Sequence, residues 1–226
     1  MNHRDLNNAY LSISKDDLGK LPIADYSGNI ILVDTPEKLD KAIEDLNSHQ
    51  IIGFDTETRP SFRKGQSYNV ALIQLATKDC CYLFRTNELG YPKSLIDLLE
   101  NPSIMKVGLS IHDDFHNLRK ITDVNPQGFI DLQTFVKDYK IADNSLSKIY
   151  AVVFGERVSK GQRLSNWEAN ELTEAQQHYA ALDAFACLNI YNFLKDGKFN
   201  PLHSPHLTFP SETEEKSTDI DYSQQD

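Results

Sequence analysis

Apolar residues recur along this chain with two different spacings. Runs of four to six mostly apolar residues lie at 29–33, 51–54, 70–75, 80–84 and 105–109, each between turn signals, and their length and setting predict five β-strands. Elsewhere the spacing changes to three and four. Leu39, Ala42, Ile43 and Leu46 fall on one face of a helix that opens at Thr35-Pro36-Glu37. Threonine suits the cap, proline the first turn and glutamate the positive end of the helix dipole. Further helices are predicted over 95–99, 112–121, 132–139, 145–154 and 173–194. Strands gathered in the first half and helices in the second predict an α/β fold with a mixed sheet.

Chemistry enters where these elements end. The run at 51–54 stops at Asp55-Thr56-Glu57. Strand residues two apart share a face, so Asp55 and Glu57 point the same way at the carboxyl end of a buried strand. Two carboxylates that close repel, and a hard dication with oxygen ligands is the natural neutraliser. Spacing alone is weak: Glu212-Thr213-Glu214 has it too, in a polar setting that suggests no site. A second acidic group, Asp113-Asp114, follows the strand at 105–109 as the chain enters a helix, where either residue also suits the first turn. Asp183 differs, because it lies mid-helix between Tyr179-Ala180-Ala181-Leu182 and Ala184-Phe185-Ala186-Cys187. A carboxylate in so apolar a stretch must be paired, hydrogen-bonded or metal-bound. Tyr179 stands four residues earlier on the same helical face.

Asp55-Thr56-Glu57, Val107-Gly108 with Asp114 six residues past the glycine, and Tyr179-x-x-x-Asp183 together resemble the DEDD superfamily of 3′-5′ exonucleases. The resemblance is to its tyrosine type, which includes ribonuclease D and the exonuclease domain of the Werner syndrome helicase. It extends over residues 29–195 and takes in Ser145-Leu146-Ser147, Leu164-Ser165-Asn166-Trp167 and Leu172-Thr173-Glu174. It implies a ribonuclease H-like fold with a mixed five-stranded sheet flanked by helices. It also implies removal of 5′-nucleoside monophosphates from the 3′ end of DNA or RNA. Carried onto this chain, Asp55, Glu57, Asp114 and Asp183 hold two Mg²⁺ or Mn²⁺ ions, about 3.5–4 Å apart, with Asp55 shared. Tyr179, whose reference pKa near 10 makes it a poor base, orients water and phosphate.

His178-x-Ala180-x-x-Asp183 also fits the histidine type of the superfamily, found in oligoribonuclease-like enzymes. On an unbroken helix, residues four apart are close in angle and residues five apart are not, which favours Tyr179 as the partner of Asp183. A different class, an inactive nucleic-acid-binding protein on the same fold, is disfavoured by the presence of all four carboxylates. Candidate substrate contacts follow the first motif: Thr56, Arg59, Ser61, Phe62, Arg63 and Lys64, with Phe62 suited to stack on a base. Arg157, Lys160 and Arg163 form a second basic patch ahead of Trp167, which reads as a packing anchor. Asp131 reads as the cap of the helix from Leu132.

A formal charge of −10 sits oddly with a nucleic-acid partner. Half of it belongs to residues 211–226, where six acidic residues face one lysine and a disordered tail is expected. Four more negative charges are the candidate metal ligands, so the rest of the chain is nearly neutral. The expected organisation is an N-terminal extension at 1–28, an exonuclease domain at 29–200 and an acidic tail at 201–226, punctuated by Pro201, Pro205 and Pro210. No apolar run suits a membrane span and the first ten residues are too polar for a signal peptide. Three cysteines without a CxxC pair suit a reducing, cytoplasmic setting.

Overall fold

The computed structural model describes residues 6–210, and the tail expected from 211 onward lies outside them. Near the start come a two-residue strand β1 (Tyr10–Leu11) and the short helix α1 (Lys15–Lys20). Strand β2 (Asn29–Val33) then leads into helix α2 (Pro36–Asn47), capped by the Thr35 side chain on Lys38 N. Strands β3 (Ile51–Thr58), β4 (Val70–Ala76) and β5 (Cys80–Arg85) follow as an antiparallel set. Helices α3 (Thr86–Leu89) and α4 (Lys93–Glu100) lead to β6 (Met105–Gly108), α5 (Ile111–Arg119), β7 (Phe129–Asp131) and α6 (Leu132–Phe135). Helices α7 (Leu146–Phe154) and α8 (Glu174–Lys195) and the strand β8 (Leu207–Thr208) complete the described fold.

The sheet runs β2-β5-β4-β3-β6-β7 and is mixed, with β2, β6 and β7 parallel to their neighbours. It has six strands where five were expected. The additional one, β7, is three residues long and half-buried at an edge, too short to carry a period-two signal. Alternation splits the sheet cleanly. Ile52, Phe54, Ile73, Leu75 and Phe84 face α2, α4 and α5, whereas Leu72, Ala76, Leu83 and Val107 face α7 and α8.

Residues before 29 and after 200 also pack on this body. Leu11, Ile13, Ala24 and Tyr26 are buried in the core, and β1 pairs with β8. A two-residue strand pair has no periodicity of its own, so sequence patterning could not place it.

The long helix α8 crosses the centre of the sheet and owes its closeness to small residues. Ala180, Ala181, Ala184 and Ala186 are buried along it. At Gly53 in β3 a methyl group would lie 2.0 Å from the Ala184 carbonyl oxygen, so only glycine permits the contact. This approach carries Asp183, the neighbour of Ala184, onto the strand that bears Asp55 and Glu57.

Candidate active site

Gly53, Asp55 and Glu57 alternate onto the α8 face of β3, and Asp183 descends on them from the helix. One ligand oxygen from each of Asp55, Glu57 and Asp183 lies within 4.8 Å of the others. A bulge follows immediately: Glu57 pairs with Leu72 and Thr58 with Val70, leaving Ala71 extra on β4. Such irregularities re-aim strand ends beside active sites.

Asp114 arrives from the opposite side. Its carboxylate accepts a hydrogen bond from the Thr56 hydroxyl, which points away from Asp55 and Glu57, and it lies outside the group of three. It is nevertheless close enough to act electrostatically on both Asp55 and Glu57. Three devices place it. Gly108 lets α5 turn tightly, because a methyl there would meet Ile111 Cγ2 at 2.6 Å. Ser110 adopts a left-handed conformation at φ 60°, and its N–H and that of Ile111 donate to the Asp131 carboxylate at 3.1 and 3.2 Å. Phe115, beside Asp114, packs edge-on against Phe129 at 4.7 Å, and Phe129 against Phe54 at 5.0 Å. Asp131 does cap α6, accepting from Gln133 N at 2.8 Å, and the clamp on α5 is a second task that sequence did not reveal.

The electrostatics are those of crowded acids. Removal from water, and then the charges of Asp183, Asp114 and Glu57, hold the Asp55 carboxyl well above the usual range. Burial, then Asp183 and Asp114, raise Glu57 in the same way. Burial also raises Asp114 and Asp183, partly offset by hydrogen bonds from Thr56 and Tyr179. Among the described residues no Lys, Arg or His forms an ion pair with any of the four. Oxygen donors that repel each other and lack a cationic partner fit a hard divalent cation, which would restore their ionised forms.

Tyr179 and His178 separate on α8. The Tyr179 hydroxyl is hydrogen-bonded to Asp183 and feels the charges of Glu57 and Asp55. Burial and these charges push its pKa upward, so it keeps its proton. His178 lies on the exposed side, with Nε2 3.9 Å from Glu174. Trp167 is fully buried and its ring lies 6.0 Å from that of Tyr179, as suits a packing anchor.

The two loops expected to meet substrate face one another across a cleft of about 450 Å³. Arg59, Phe62, Arg63 and Tyr68 line one wall, and Leu164 and Asn166 the other. Phe62 is 81% exposed and Leu164 61%, so two apolar side chains stand open at its mouth. Arg59 bonds Glu168 at 3.3 Å and lies 4.8 Å over the Tyr68 ring, tying the walls together. Arg85, buried at the end of β5, donates to the carbonyls of Ala169 and Asn170 and fixes the far loop to the sheet. Arg163 is exposed and does not line the cleft, and the Arg157 side chain donates to the Leu21 carbonyl at 3.2 Å. Tyr68 and Arg85 carry no motif and nothing in their local sequence marks them, and Leu164, although it opens the Leu164-Ser165-Asn166-Trp167 element, gave no sign that it lines the cleft.

A mixed sheet crossed by one long helix, with carboxylates clustered at the crossing, is the architecture of the ribonuclease H-like nucleases. The 3′-5′ exonuclease family model matches residues 30–197, and the chain belongs to that family. It is 35% identical over 184 residues to the mouse bifunctional 3′-5′ exonuclease/ATP-dependent helicase WRN, covering 77% of this chain and 13% of that protein. It is 32% identical over 193 residues to an Arabidopsis thaliana 3′-5′ exonuclease, covering 77% of this chain and 66% of the relative. The chain therefore spans less than two thirds of either relative. The fold matches that of the Aedes aegypti Nibbler EXO domain, with TM-score 0.70, 24% identity, and 79% and 96% of the two chains covered. No described helix is long and apolar enough to cross a membrane.

Proposed function

We propose that this chain removes 5′-nucleoside monophosphates from the 3′ end of DNA or RNA, as a tyrosine-type exonuclease dependent on two Mg²⁺ or Mn²⁺ ions. The observation that carries this reading is the convergence of Asp55, Glu57 and Asp183 from β3 and α8 beside an open, partly basic cleft. Asp55, Glu57 and Asp183 would hold one cation, and Asp114, oriented by Thr56, would serve the second together with Asp55. When bound, such ions activate the attacking water and stabilise the leaving 3′ oxygen.

The remaining work belongs to the chain's own groups. Tyr179, kept protonated, would shift its one donated hydrogen bond from Asp183 to the scissile phosphate and accept one from the attacking water, orienting both. Phe62 and Leu164 form an apolar mouth in which the terminal base can stack, worth about 1–3 kcal/mol for an aromatic platform. Arg59 and Arg63 supply cations for the phosphates of that end, and Arg163 adds one further along. Three free cysteines suit a reducing, cytoplasmic setting. The test is digestion of 5′-labelled DNA and RNA oligonucleotides ending in 3′-hydroxyl or in a blocked 3′ group, with each metal. Shortening by single nucleotides from the open 3′ end is expected, and internal cuts or indifference to the block would reject the reading.

The histidine-type alternative makes the opposite forecast for two neighbours. Tyr179→Phe is expected to lower kcat by about 10- to 100-fold, because a positioning hydrogen bond is lost, with KM little changed. His178→Ala is expected to stay within about twofold, as surface substitutions usually do. Steady-state kinetics on one labelled oligonucleotide decides between them: an inactive His178→Ala beside a normal Tyr179→Phe reverses the assignment.

A further inference from the structure

Among the described residues, only Gln74 and Trp167 carry fully buried side-chain polar atoms without a hydrogen-bond partner, and in Gln74 both amide atoms are affected. Gln74 is 0% exposed in the middle of β4, where every other side chain is apolar. The register sets it opposite Asp55 on one side and Leu83 on the other. Opposed residues of an antiparallel pair share a face, with Cβ atoms about 4.5–5.5 Å apart. Gln74 thus shares with Asp55 the sheet face under α8, the face that also carries Leu72, Ala76 and Leu83, and its amide reaches no hydrogen-bond partner there.

An amide buried without partners is costly and rare, and a leucine or methionine would fill the same space without that cost. Its presence at this position points to a partner. Gln74 offers a donor at Nε2 and an acceptor at Oε1, so it can serve a neighbouring carboxyl in either protonation state. Carboxylates that ligate metals are generally held by such outer hydrogen bonds, which select the oxygen presented to the ion.

We propose that Gln74 is the positioning residue of Asp55: with the cation bound and Asp55 ionised, its Nε2 would turn to donate to the Asp55 carboxylate, a bond absent from this structure, and so fix the oxygens that face the ion. This rests on the reading of Asp55 as a metal ligand. Gln74 touches neither substrate nor ion, and acts through Asp55 alone.

Titration calorimetry of Mn²⁺ into metal-free wild type, Gln74→Met and Gln74→Leu tests the proposal, alongside thermal midpoints of the metal-free forms. The expected result is Mn²⁺ binding weakened about 10- to 100-fold in both variants, with metal-free midpoints equal to or above wild type. A residue of purely structural importance would move the midpoints down and leave Mn²⁺ affinity alone. Kinetics at saturating Mn²⁺ should show reduced kcat with unchanged KM for the oligonucleotide. Mn²⁺ affinity within twofold of wild type in both variants, or loss of the metal-free fold in both, overturns the proposal. Failure of the wild type itself to bind Mn²⁺ overturns the metal reading of the site and this inference with it, an outcome distinct from equal binding by all three proteins.

Discussion

Replacing Asp55 by alanine is expected to end nucleotide release while leaving the protein folded. Asp55 is the carboxylate on which the others converge, flanked by Glu57 on its own strand, Asp183 above and Asp114 from the far side. Its loss removes the proposed shared ligand and with it the stabilisation of charge at the reacting phosphate. Metal-ion catalysis of this kind supplies several kcal/mol, and about 4 kcal/mol corresponds to roughly a 10³-fold fall in rate. The same change relieves repulsion among acids held in a poorly solvated place. A metal-free Asp55→Ala protein should therefore melt at or above the wild-type temperature. Two assays separate the effects: mononucleotide release from a 5′-labelled oligonucleotide, and circular-dichroism melting in a chelator. Activity above about a tenth of wild type would remove Asp55 from the chemistry. A clear drop in melting temperature would instead assign it to the fold.

Without divalent cations the protein is expected to lose stability as pH rises from about 5 to 9. Burial raises the folded-state pKa of Asp114 and Asp183 to about 7, and burial together with the charges of neighbouring site carboxylates raises Glu57 to about 9 and holds Asp55 well above the usual range. In the unfolded chain these groups lose their protons near pH 4. Between the two values the folded state binds more protons, so unfolding becomes easier as pH rises. The contribution is complete below about pH 4 and spent above about pH 9. Because the groups are coupled, their shifts do not add, and the expected result is a melting temperature that falls by at least several degrees across this range. Mn²⁺ should reverse the trend, since it binds the ionised set: at 100 times its dissociation constant it adds about 2.7 kcal/mol, and protons displace it at pH 5. Thermal scans at pH 5, 7 and 9, with chelator and with Mn²⁺, measure both slopes. A chelated midpoint that climbs with pH would contradict the picture of buried, uncompensated acids.

The two forecasts draw on different depths of the sequence. That Asp55 and Glu57 share a face follows from strand alternation, and that Asp183 is a costly residue follows from its apolar neighbours, so both were legible in a few consecutive residues. The caps at Thr35 and Asp131 were of the same local kind, although only Asp131's first task was visible, and the capping box of Thr173 and Gln176 emerged with the structure. Gln74 left a faint trace as the one polar residue in the run at 70–75, without a partner to give it meaning.

The sequence by itself determined which residues alternate onto one strand face, which stretches are helical, and which carboxylates need a counter-charge, because periodicity, capping and local polarity act over a turn or two of chain. Only the tertiary structure decided that Gly53 and Ala184 let α8 descend far enough to bring Asp183 to Asp55. It alone tied Asp114 to Thr56 and set Phe62 across a cleft from Leu164. Those pairings join residues far apart in the chain. Their geometry comes from the register of the sheet and the closeness of helix packing, which are properties of the whole fold and not of any one segment.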